Sequence, residues 1–159
     1  MLLTTLCYII RDGKWLMLHR VSKKEDVNAG KWIGVGGKFE PGEAPEECLL
    51  REVFEETGLT LTKYAYRGCI TFVYNNKEPE LIFTYTASGF TGELHGTDEG
   101  RLKWVPESEV PSLPVWEGDR YMLRYLTEGR REPFSLKLCY QNDELIEAWE
   151  LAGTIQRLR

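Results

Sequence analysis

Two apolar runs, "LLTTLCYII" and "KWLMLHR", open the chain with "RDG" between them. Asp12-Gly13 is a strong hairpin signal, so this stretch predicts two strands joined by a tight turn. After the polar loop "VSKKEDVNAG" comes "KWIGVGGKFEPGE", too glycine-rich for a helix interior and too short of alternation for a long strand. It predicts a short strand opening into a shaped loop. Pro45 near a first turn and Gly58 just past a last one bracket a helix from about Ala44 to Thr57. Next, "LTKYAYRGCITFVYNN" and "ELIFTYTASGF" are rich in β-branched and aromatic residues and flank the turn-like "NNKEP", which predicts two long paired strands.

"RLKWVP" predicts another short strand. In "WEGDRYMLRYLTEG", Tyr121, Met122, Tyr125 and Leu126 have the spacing of an amphipathic helix that stops at Gly129. "FSLKLCYQNDELIEAWEL" reads as a hairpin turning at Asn142-Asp143, with a second half that suits a helix equally well. Without repeats or a linker, the expected fold is α+β, a mixed β-sheet flanked by helices in one domain spanning 1–159.

Composition narrows the function classes. The chain has 159 residues, 42% of them apolar, enough for one core without a partner. No window approaches a membrane span, and the N-terminal stretch lacks the basic flank and cleavage site of a secretory signal, so a cytoplasmic protein is expected. Cys7, Cys48, Cys69 and Cys139 form no CxxC pair and are expected to be buried free thiols. A formal net charge of −5 disfavours nonspecific binding to a long nucleic acid, but allows a small anionic substrate if a cation lies between.

Within the first helix, "REVFEETGL" gathers Glu52, Glu55 and Glu56 on one face, with Leu50, Val53, Phe54 and Thr57 assigned to the other. Like charges at this spacing repel, which suits either a solvated acidic surface or a site for a hard divalent cation shared with phosphates. Arg51 is placed to hydrogen-bond a carboxylate and fix its orientation. Just upstream, the glycines of "GVGGKFEPGE" let backbone approach a ligand, and Lys38 adds a cation for phosphate oxygens.

Gly37, Glu43 and Arg51 to Leu59 together match every position of the pattern GX5EX7REUXEEXGU, and by this the chain resembles the Nudix hydrolase family. The resemblance implies a Nudix α/β/α sandwich and hydrolysis of a nucleoside diphosphate linked to another group. It also implies Mg2+, with Mn2+ as an alternative, bound by Glu52, Glu55, Glu56 and the carbonyl of Gly36 or Gly37. Arg51 would then orient a glutamate, Glu43 would be structural or support the ligands, and Glu99, in preference to Asp98, would add a further acid. Glu52, Glu55 or Glu56 would act as base.

Outside that pattern, "GKWIGVGGKFEPGE", "EPEL" with "KWV", and "VWEGDRYML" resemble the MutT-like 8-oxo-dGTP diphosphatases, the oxidised purine nucleoside triphosphatases. That implies Trp116 stacking on a purine, unless it is a core aromatic, and Asp119 bonding the base edge, unless it is a helix N-cap. Arg20 and Lys23 are candidates for phosphate or base contact. Ile33 stands where those enzymes carry a base-reading asparagine, and Gly118 replaces the first of two acids. Losing such groups weakens discrimination between bases. The expected partner is a small nucleotide, with neither long nucleic acid nor membrane, acting on a monomer or homodimer. Other readings are a nucleotide sugar, ADP-ribose or capped-RNA hydrolase, and a nucleotide-binding sensor without turnover.

Overall fold

The computed structural model describes residues 1–20, 30–95 and 100–159. Strands β1 (Leu2–Arg11) and β2 (Lys14–Arg20) form the expected hairpin. Asp12 and Gly13 both take positive φ, the geometry of a two-residue turn that matches the strand twist. The two strands pair only from Ile9 to Arg11 with Lys14 to Leu16 and then part. Into the gap comes the glycine segment. Val35 and Cys7 exchange backbone hydrogen bonds at 2.7 and 2.9 Å, Thr5 N–H donates to Gly37 C=O at 2.9 Å and Phe39 N–H to Leu3 C=O at 3.1 Å. The preceding strand, β3, is only Trp32–Ile33.

Helix α1 (Pro45–Thr57) has Pro45 in its first turn, and Glu47 accepts the Ala44 N–H at 3.0 Å in place of a side-chain N-cap. Gly58 ends it in the left-handed region. The long strands β4 (Thr60–Tyr74) and β5 (Glu80–Thr91) pair antiparallel, while β5 runs parallel to β1. Strand β6 (Gly100–Pro106) lies antiparallel to β2 and leads into a 3-10 turn, Glu107–Ser112, that the apolar pattern did not predict. Helix α2 is Asp119–Thr127. Strands β7 (Phe134–Gln141) and β8 (Glu144–Glu150) form a hairpin about Asn142, so the segment left open between strand and helix is a strand. β7 runs parallel to β4, and the two-residue β9 (Gln156–Arg157) closes that edge.

Among the described residues the strands form one mixed sheet with a core on each face. Period-two alternation decides which side chains go where. Cys7, Ile9, Leu16 and Leu18 face α1 with Leu49 and Val53. Tyr8, Trp15 and Met17 face α2 with Trp116, Met122 and Tyr140. This is the α/β/α arrangement, with strands apolar on both sides because both sides are covered. Cys7 and Cys48 are buried free thiols as expected, but Cys69 and Cys139 are only half-buried. No helix among the described residues is long and apolar enough to cross a membrane.

Candidate active site

The apolar stripe of α1 does not lie opposite its carboxylates. Cys48, Leu49, Val53, Glu56 and Thr57 are the buried residues of the helix, whereas Phe54, assigned by sequence to the docked side, is 56% exposed. Glu52 and Glu56 therefore sit within the face turned to the sheet, beneath the glycine segment. Glu56 accepts the Gly36 N–H at 3.1 Å. A methyl at Gly37 would overlap the Glu52 carboxylate, and one at Gly36 would overlap the Thr5 carbonyl. Glycine is needed at both because backbone passes directly over the acids and over β1.

One guanidinium organises this end. Arg51 Nε and Nη2 donate to the two oxygens of Glu43 at 2.7 and 2.8 Å, Nη1 donates to Glu52 at 2.8 Å and to Glu55 at 3.2 Å, and Nη2 also donates to Lys38 C=O at 2.9 Å. The bidentate pair holds the Glu43 carboxyl down at about 2, with the Glu40 N–H as a second donor. The Gly37 carbonyl is already engaged, accepting Thr5 N–H and the Cys48 thiol.

A cavity of about 670 Å³ runs from this end to the start of α2. Its walls include Gly36, Gly37, Lys38, Glu52 and Glu56 at one end, and Arg20, Ile33, Trp116 and Asp119 elsewhere. Glu55 and Arg51 are not in the wall; Glu55 is half-exposed and turned to Arg51. Glu99, Asp98 and Lys23 lie outside the described residues.

Trp116 is 4% exposed. The Lys31 ammonium lies 4.2 Å over its ring, and Phe72, Tyr74 and Tyr140 meet it edge-on. A purine stacking on that face of Trp116 would have to displace Lys31. Asp119 is the first residue of α2, whose N-cap is Gly118, and it touches the cavity. Desolvation raises its carboxyl to about 7, opposed by the charge of Arg120.

Sequence reasoning missed Thr4, Thr5, Leu6, Ile70, Phe72, Glu80 and Ile82 in the wall, and Lys31 over Trp116. Strand alternation marks several of them as sharing a face, but nothing in the sequence says that this face is open. Glu80 accepts the Thr4 hydroxyl at 2.7 Å.

Glu52 and Glu56 with a backbone carbonyl offer only oxygen donors, which suits a hard divalent cation. Among the described residues no three His, Cys, Asp or Glu converge as a complete metal cage. A cation here would draw its other ligands from water and phosphate, as magnesium commonly does.

Known proteins are similar to this chain in sequence and fold. The MutT protein of Bacillus halodurans superposes with a TM-score of 0.84 at 27% identity, over 95% of this chain and 98% of that one. The oxidized purine nucleoside triphosphate hydrolase of Danio rerio is 34% identical over 131 residues, 81% of each chain. The uncharacterized Nudix hydrolase YvcI of Bacillus subtilis (strain 168) is 29% identical over 131 residues, 79% of each. The NUDIX domain model matches residues 2–126, which take in the acidic helix, the glycine segment and both ends of the cavity. With strand, loop and helix in that order, the chain belongs to the Nudix family, as a hydrolase of phosphoanhydride bonds.

Proposed function

We propose that this protein is a magnesium-dependent pyrophosphohydrolase of nucleoside triphosphates, with purine deoxynucleotides, oxidised ones such as 8-oxo-dGTP among them, as substrates. The observation that carries this reading is the continuity of one cavity. Its carboxylate and glycine end passes into an end lined by Ile33, Phe72, Trp116 and Asp119. A volume of about 670 Å³ is in the range that encloses a small organic ligand.

Glu52, Glu56 and the Gly36 carbonyl would hold Mg2+, or Mn2+ in its place; the Gly37 carbonyl is committed to Thr5 and Cys48. When bound, the ion neutralises phosphate charge and stabilises the charge that develops as the bridging bond breaks. Lys38 reaches the same wall and pairs with phosphate oxygens. Glu52 or Glu56 takes the proton of the attacking water, whose oxygen bonds to phosphorus as the phosphoanhydride P–O bond breaks, giving the monophosphate and pyrophosphate. Arg51 keeps Glu52 aimed at the cavity, and Glu43 keeps Arg51 in place. Glu55 guards the outer side of that guanidinium.

At the other end Asp119, neutral below about pH 7, supplies one O–H donor and one acceptor to the edge of a base. Neither Ile33 nor Gly118 adds a polar side chain, so discrimination between oxidised and plain purines is shallow. A screen for nucleoside monophosphate release over dNTPs, oxidised dNTPs and nucleotide sugars, with pyrophosphate measured as the second product of the triphosphates, with and without magnesium, tests the reading. Release from purine triphosphates only with the metal is expected. Release from nucleotide sugars alone, or from nothing, would refute it, the latter in favour of a sensor.

A further inference from the structure

Position 118 is glycine, and the reason lies across the core on β7. A Cβ there would stand 2.7 Å from the Tyr140 hydroxyl oxygen and 2.8 and 2.9 Å from the two terminal methyls of Leu138. The hydroxyl uses that space, accepting the Gly118 N–H at 2.7 Å from a side chain that is 1% exposed. Gly118 is the last residue before α2. The turn around it is closed by Asp119 N–H to Trp116 C=O at 3.0 Å and Tyr121 N–H to Gly118 C=O at 3.2 Å. Fixing this amide therefore fixes the direction in which Asp119 leaves. The same tyrosine meets Trp116 by its ring, at 4.8 Å between centroids and 69° between planes. Burial and the nearby charge of Asp119 both hold the phenol protonated.

We propose that Tyr140 is the positioning residue of the base-reading end: it orients Asp119 through the Gly118 amide and Trp116 through ring contact, and it fills the space a side chain at 118 would need. This rests on the triphosphatase reading. It explains how the base-reading end works with glycine at position 118. The space for a side chain there is taken by a hydroxyl that reaches in from the opposite hairpin, and Asp119 reads the base edge without an acidic neighbour at 118.

The test uses the full chain, magnesium, dGTP and 8-oxo-dGTP. Y140F keeps the ring and removes the acceptor; KM for both nucleotides should rise about tenfold, with kcat within about threefold because the glutamates are untouched. If Tyr140 acts through Asp119, the double variant D119N/Y140F has a KM no higher than D119N alone. L138A loosens the same packing without touching the hydroxyl and should leave KM near wild type. An unchanged KM in Y140F, additive effects in the double variant, or an equal rise in L138A would each overturn the proposal. So would failure of Y140F to fold, which would assign the hydroxyl to the core alone. Wild-type protein that releases pyrophosphate from neither nucleotide would instead bring down the triphosphatase reading and this inference with it.

Discussion

At the α1 end, three carboxylates, Glu43, Glu52 and Glu55, share the guanidinium of Arg51; at the α2 end, Asp119 touches the cavity, with the nearby charge of Arg120 favouring its ionised form. Hydrogen bonds pull the Glu43 carboxyl down to about 2, and desolvation pushes Asp119 up to about 7. At the first end the pairing with Arg51 keeps Glu43 ionised at any ordinary pH. The second changes its hydrogen-bonding character near neutrality, suited to reading a neutral base.

Four experiments separate the ends. E56Q removes a carboxylate from the cavity wall and should lower kcat by roughly 10²–10⁴, with the melting temperature and nucleotide KM close to wild type. Near-normal turnover would take the chemistry away from α1. G37A places a methyl against the Glu52 carboxylate; a displacement of that size in a reacting group costs on the order of 10² in turnover, again with KM little changed.

D119N addresses the other end. For a guanine nucleotide the wild-type KM should be flat below about pH 7 and rise above it as the donor proton is lost, whereas D119N should show a KM about tenfold higher that does not change with pH. The same group shapes stability. Because its folded value lies above the ordinary 3.8, its contribution is fully present below 3.8 and is lost as pH rises to about 7, so the melting curve of D119N should be flatter across that window. A break in the KM profile that survives D119N would show that another group titrates there.

The smallest effect belongs to E43Q. Glu43 is depressed from 4.5 to about 2, so its contribution is present above 4.5 and is lost as pH falls toward 2. E43Q should melt a few degrees lower at neutral pH, with the difference vanishing in acid. Loss of activity at unchanged KM would show that Glu43 serves to hold Arg51 and, through it, Glu52.

This difference between the ends also explains what could be read without coordinates. The α1 end is made of consecutive residues, Gly36 to Glu56, in which a glycine turn, a helix start and a carboxylate spacing are all local properties. Its one error, the docked side of the helix, arose because Glu56 is buried at the hydrophobic face by a bond to Gly36 N–H, which helical periodicity does not register. The α2 end is assembled from β1, β3, β4, β5 and the start of α2, brought together by the parallel pairing of β1 with β5 and the antiparallel pairing of β5 with β4. Local pattern names Trp116 and Asp119 but not Phe72, Ile82 or Glu80, because being in the wall depends on sheet order. The Tyr140–Gly118 contact spans 22 residues and leaves in the sequence only a glycine in an unexpected place.

The parting of β1 from β2 has a further consequence. Since the glycine segment takes the vacated edge of β1, its backbone is held by sheet hydrogen bonds and ordered before any ligand arrives. A free surface loop would lose about 1–2 kcal/mol of conformational entropy for each residue it fixes on binding. Here that ordering is completed on folding, so the backbone groups of this segment are already aligned, and affinity for the proposed polyphosphate substrate should depend little on loop closure.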